Sequence, residues 1–131
     1  MEIDLKASAF AIIAVLAMSA QPAYAQATPE QTEMFYNSAR NQLGILNFCQ
    51  TEGHIDGTAV EIQERIIGFL PAPTDPAAGD AAQATGEVGT IEAMGVNQDL
   101  QQAAETQGAS VEQFCDALAA TVGQAGSQLP Q

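Results

Sequence analysis

The chain has 131 residues, with 16 aspartates and glutamates against three lysines and arginines, and a formal net charge of −13. So acidic a balance excludes nucleic acid as a partner, because binding it needs cationic side chains that displace counterions. It equally excludes electrostatic docking on anionic lipid. One histidine, two cysteines and no tryptophan leave little material for catalysis, and the composition reads as that of a non-enzyme.

Residues 7–18 form an apolar run too short to span a bilayer as a helix. The small residues that follow end in Ala23-Tyr24-Ala25, an A-x-A cleavage pattern. Together they predict a secretory signal peptide over 1–25, with an exported product, periplasmic or extracellular. Glu2 and Asp4 accompany Lys6 where a net positive charge is usual, so an uncleaved interfacial helix is the alternative reading. No lipobox cysteine follows, and no lipid anchor is expected. Residues 26–131 read as one domain, with Arg40 and Arg65 against fourteen carboxylates.

The periodicity of that domain is helical. Thr28-Pro29-Glu30-Gln31 is a capping box with proline at the first helical position. Phe35, Ala39, Leu43, Leu46 and Cys49 follow on one face, with Gly53 as the stop. His54-Ile55-Asp56-Gly57 reads as a turn. Thr58-Ala59-Val60-Glu61 reads as a second capping box. Ile62, Ile66, Phe69 and Leu70 form the stripe behind it, and Pro71 ends the helix. Residues 71–89 read as a Pro/Gly/Ala-rich linker, whose second half (80–89) is at best a weak helix. Residues 90–96 read as a docking loop anchored by Ile91, Met94 and Val96. Asn97 is placed to cap a short helix running to Gln107, stopped by Gly108. Ser110-Val111-Glu112-Gln113 is a third capping box. It opens the clearest stripe, Val111, Phe114, Cys115, Leu118, Val122, Ala125 and Leu129, closed by Pro130. Nothing reads as a strand.

The expected fold is therefore all-α: a small antiparallel bundle of three to five helices clipped by one disulfide. Phe35, Leu43, Ile62, Ile66, Phe114, Leu118 and Val122 are the expected common core. Cys49 late in the first helix and Cys115 early in the last lie on apolar stripes in an oxidising compartment, which predicts their bonding. A closed loop of about 65 residues is worth ~4 kcal/mol in the chain-entropy model.

The chemical candidates reduce to solvated surface. His54-x-Asp56 has metal-ligand residue types, but a solvated turn is the better reading. Glu61 and Glu64 share a helix face beside Arg65. Gly86-x-x-Gly89 has no lysine to complete a phosphate cradle. No catalytic residue, cofactor, metal or small-molecule substrate is assigned. One feature is less ordinary: residues 117–131 carry no charge, and Ala119-x-x-x-Gly123 permits close backbone approach. Leu118, Ala119, Val122, Gly123 and Leu129 are thus the candidate membrane or self-association face. A helix packed on two sides of a bundle is the other reading.

The run Ala39-Arg40-Asn41-Gln42-Leu43-Gly44-Ile45-Leu46-Asn47-Phe48-Cys49-Gln50, with Glu52-Gly53 and Ile67-Gly68-Phe69-Leu70-Pro71, resembles a pore-forming, ESAT-like (early secreted antigen) family of short exported helical proteins. The Trp-x-Gly turn of the wider antigen family is absent, and no functional residue is carried over. The resemblance implies a helical hairpin core and membrane activity by self-assembly. A soluble periplasmic binding or acid-stress chaperone-like module is the alternative. Discharge of the carboxylates near pH 4 is the expected trigger for self-association or liposome binding.

Overall fold

The computed structural model describes residues 27–131, so the predicted signal segment 1–25 lies outside the described residues. Five helices and one hairpin follow in order: α1 (Pro29–Thr51), α2 (Thr58–Phe69), α3 (Pro76–Glu87), β1 (Thr90–Ala93), β2 (Val96–Asp99), α4 (Leu100–Thr106) and α5 (Val111–Gly126). The fold is mostly helical and clipped by the Cys49–Cys115 disulfide. The two strands pair antiparallel, which corrects the all-α expectation.

Helix α1 is the axis. Its capping box forms as expected, with the Thr28 hydroxyl accepting from the Gln31 N–H and the Gln31 side chain accepting from the Thr28 N–H. Helix α2 returns alongside it, but the Thr58 capping box does not form. Gly57 occupies the N-cap without a side-chain bond. Instead the Asp56 carboxylate accepts from the Thr58 N–H at 2.9 Å, an Asx-type contact that competes for the same donor. Helix α5 also runs antiparallel to α1, since Cys115 meets Cys49 while Val122 packs on Leu46. Its Ser110 capping box forms as expected.

The largest departure is α3. Residues 76–87, expected as linker and weak helix, form a full helix opened by Asp75 and Pro76, with the Asp75 carboxylate accepting from the Ala77 N–H at 3.1 Å. Helix α3 runs parallel to α1, with Gly79 against Tyr36 and Gly86 against Asn41 and Ile45. This pair is the most extensive helix interface of the molecule. Gly79, Ala82 and Gly86 lie on one face of α3, and Gly44 faces them from α1. A methyl group at Gly86 or Gly44 would drive into the backbone of the other helix. Small residues that read as loop composition are therefore what lets the two backbones approach, and dispersion contacts along both helices replace the missing apolar side chains.

Arg40 locks the same interface. Its guanidinium donates to Gln83 at 2.8 Å, to Asp80 at 2.7 Å and to the Tyr36 hydroxyl at 3.1 Å, and it lies 5.8 Å from the Tyr36 ring centre. Burial works against the arginine's charge, but Tyr36 and Asp80 outweigh it and raise its pKa.

Two apolar clusters fill the centre. Ile45, Cys49, Leu100 and Cys115 form one; Leu46, Ala59 and Val122 form the other; Leu118 and Ile55 touch both. Of the expected core, Leu43 and Val122 are buried, while Ile62, Ile66, Phe114 and Leu118 pack at its margin. Phe35 is a correction, being 59% exposed at the rim of an open groove that it lines with Ile66, Leu70 and Ala125. Leu129 is another. Helix α5 ends at Gly126, so the stripe does not continue to it.

Candidate functional site

The hairpin is the part of the molecule that the core does not consume. Its register pairs Thr90 with Asp99, Ile91 with Gln98, Glu92 with Asn97 and Ala93 with Val96. Met94 and Gly95 make the two-residue turn, both left-handed, at φ of 52° and 78°. That is the turn type whose twist matches a hairpin. Gly95 suits it; Met94 adopts it at a steric cost on the order of 1 kcal/mol or more. The docking-loop expectation is corrected here. Ile91 does pack on the core, but Met94 is 87% and Val96 65% exposed.

One side of the hairpin is held by a buried amide. Asn41 is 3% exposed. Its Nδ2 donates to the carbonyls of Ala82 and Thr90, and its Oδ1 accepts from the Glu92 N–H, each at 3.0 Å. The side chain therefore substitutes for a neighbouring strand along the outer edge of β1, while its bond to Ala82 ties the hairpin to α3. At the other end, Leu100 donates to the Gly89 carbonyl at 2.9 Å. The Asp99 carboxylate caps α4 by accepting from Gln102 at 3.1 Å, a role that the sequence reading gave to Asn97.

Between the hairpin tip and the N-terminal half of α1 lies an open groove of about 610 Å³, lined by Met34, Asn37 and Met94 and by the carboxylates of Glu30, Glu33 and Glu92. Asn37 Oδ1 is buried there with no hydrogen-bond partner among the described residues. The groove thus presents acceptors and apolar side chains and no cation. Glu33 also accepts from the amide and hydroxyl of Thr74 and, at 3.3 Å, from the Asp75 amide. The Thr74 hydroxyl and amide bonds hold its pKa below the ordinary glutamate value.

The residues singled out by sequence fall elsewhere. Cys49 and Cys115 are bonded and fully buried, which fits an oxidising compartment. Val122 is 2% exposed, and Leu118 and Ala119 pack against the same cluster. These three members of the candidate membrane or self-association face are turned inward. Gly123 borders open space, and Leu129 lies half-buried beyond the helix end. His54 and Asp56 sit in the turn after α1, with Asp56 engaged by Thr58. Glu61, Glu64 and Arg65 flank a shallow depression on α2. Among the described residues no group of three or more His, Cys, Asp or Glu side chains gathers at one point, and no helix is long and apolar enough to cross a membrane.

The hairpin and Asn41 were missed by sequence reasoning. The available signal was Gly95 between two four-residue runs, but the runs are too short to show alternation, and methionine is not a usual first turn residue. Compared with protein-family models, curated proteins and solved structures, the chain matches none of them.

Proposed function

We infer that the protein is an exported, disulfide-clipped binding module that engages a cationic protein partner through its hairpin. One observation carries this reading: Ile91 anchors the hairpin to the core, but the turn and β2 contribute to neither core cluster and leave Val96 exposed and Met94 exposed beside the carboxylates of Glu30, Glu33 and Glu92. Met94 contributes to neither cluster, yet it occupies a backbone conformation that a glycine or asparagine would adopt more readily. Exposed methionine is a common surface for adaptable contacts, and a ring of carboxylates selects positive charge and raises its rate of encounter.

The membrane-active reading rests on the resemblance and needs α5 to turn Leu118 and Val122 out of the core. The two readings separate in one experiment. Dye-loaded vesicles are exposed to the oxidised protein from neutral pH down to pH 4, and binding of basic and acidic unstructured peptides is measured in parallel. The binding module leaves vesicles sealed while it stays folded and prefers the basic peptides. Dye release with no preference for basic peptides would overturn it.

A further inference from the structure

We propose that the outer edge of β2 binds an extended, lysine- or arginine-bearing segment of a partner protein, which adds to the hairpin as a third strand. This rests on the binding-module reading and specifies what the module recognises.

The hydrogen-bond phase of the hairpin identifies the free edge. A two-residue turn makes Ala93 and Val96 the pair that exchanges backbone hydrogen bonds, and the next such pair is Ile91 with Gln98. The bond from Leu100 to Gly89 continues the same alternation. The backbone groups of Thr90 and Glu92 on β1, and of Asn97 and Asp99 on β2, therefore point away from the ladder. On β1 the Thr90 C=O and the Glu92 N–H are satisfied by Asn41, whose buried side chain covers that edge. On β2 the N–H and C=O of Asn97 and the N–H of Asp99 have no partner among the described residues, and all four strand residues are exposed. Such an edge is a template for another strand. Among the devices that blunt exposed edges, Val96-Asn97-Gln98-Asp99 has its short length and the charge of Asp99, but no lysine, proline or bulge, so the charge that remains selects a cationic occupant.

Side-chain chemistry selects the occupant. Directly paired residues share a face, so Glu92, Asn97 and Asp99 lie on one side of the hairpin, and Val96 and Gln98 on the other with Ile91. A docked strand places alternate side chains beside these two sets. Lysine or arginine beside Asp99 and Asn97 forms favourable cross-strand pairs, and an apolar residue beside Val96 covers its exposed side chain. A second copy of this chain fits worse. Docked through its own β2, it would bring a second Asp99 to the edge with Glu92 one strand behind on the same face, on a domain with fourteen carboxylates and two arginines, and like charges opposite one another oppose pairing.

The test uses the oxidised full domain and fluorescein-labelled nonapeptides. One alternates lysine and valine; one alternates glutamate and valine; two further lysine–valine peptides are N-methylated on one or the other alternate set of amides. Anisotropy is read at low and high salt. The lysine–valine peptide is expected to bind, at least about tenfold more weakly in high salt, and the glutamate–valine peptide not to bind. N-methylation of the set facing β2 should abolish binding, and methylation of the other set should spare it. Asn97→Pro should weaken binding by tenfold or more, since its N–H points outward and proline is tolerated at such a position. If Asn97→Pro fails to fold, the two methylated peptides decide.

Equal binding of both methylated peptides overturns the edge proposal. So does a dimer of the protein alone, seen by sedimentation and lost in Asn97→Pro, which makes a second copy the occupant. Binding that ignores the edge but is lost in Met94→Ser overturns the proposal while leaving the binding module standing. Absence of any peptide binding together with vesicle leakage removes both.

Discussion

Two glycine-to-alanine substitutions test whether α3 is held by backbone approach to α1. In an exposed helix interior, alanine is favoured over glycine by about 1 kcal/mol. Gly123 in α5 has nothing within 4 Å of the position its Cβ would take, so Gly123→Ala should realise most of that gain, roughly 0.5–1 kcal/mol. Gly86 in α3 has the same propensity gain available but no space. Its Cβ would meet the Asn41 carbonyl oxygen, with the Ile45 amide nitrogen at 2.8 Å and the Gly44 carbonyl carbon at 3.0 Å. All three are main-chain atoms of α1, which cannot turn aside as a side chain would. Overpacking of this kind costs about 1–3 kcal/mol or more. Separating the helices would also stretch the three bonds of Asn41, so the upper part of that range applies, and the net loss for Gly86→Ala is about 2 kcal/mol once the propensity gain is subtracted. For a domain of this size, 1 kcal/mol moves the melting temperature by about 4–8 °C. Thermal unfolding followed by circular dichroism, disulfide intact, should therefore show Gly123→Ala melting a few degrees higher and Gly86→Ala roughly 10 °C lower. If Gly86→Ala melts at or above the wild-type temperature, α3 does not lie against α1 as described, and the account of its small-residue face fails.

Three further outcomes are expected. Reduction of Cys49–Cys115, whose partners are 66 positions apart, should remove about 4 kcal/mol of stability in the chain-entropy model, read as a lower urea midpoint in dithiothreitol. Asn41→Leu should leave the Glu92 N–H and the Thr90 carbonyl unsatisfied at about 1–3 kcal/mol each, while the Ala82 carbonyl keeps its place in the α3 ladder. Its specific signature is faster hydrogen exchange of the Glu92 amide, and unchanged protection there would contradict the role given to Asn41. Glu33 has a folded-state pKa depressed below the ordinary 4.5 by its bonds to Thr74. Its contribution is therefore present above pH 4.5 and lost as pH falls through the lower folded value. The Thr74 amide resonance should report that loss on acid titration, and Glu33→Gln should abolish the titration.

What the sequence made legible followed from side chains with a strong local preference. The Thr28 and Ser110 capping boxes, the proline at the start of α1 and the stripe through Cys115, Leu118 and Val122 all encode their structure within a few residues. The pairing of Cys49 with Cys115 followed from there being only two cysteines, both on apolar stripes. The features that escaped depend on partners far along the chain. Gly79, Ala82 and Gly86 have no helical signature until α1 lies against them. Asn41 looks like an ordinary polar position in a helix until Ala82, Thr90 and Glu92 arrive around it. Thr58 met a cap sequence but lost its role to Asp56, two residues away. The hairpin was hidden because its turn places a methionine where local preference favours asparagine, aspartate or glycine. The candidate site was thus almost invisible in sequence, since its defining property is what the rest of the fold leaves uncovered.

The disulfide has a consequence for how the protein withstands cutting. Cys49 and Cys115 close a covalent ring that contains α2, α3, the hairpin and α4. The segment between α2 and α3, around Pro71, Ala72 and Thr74, is exposed and offers a protease an accessible site. A single cut there opens the ring without dividing the molecule. Each half ends in a helix packed on α1, and sulfur still joins them. The nicked protein would keep the hairpin in place and gain one water in mass, and only a reductant would release the pieces. Where proteases are present, the clip thus acts as a guarantee of integrity after damage as well as a source of stability before it.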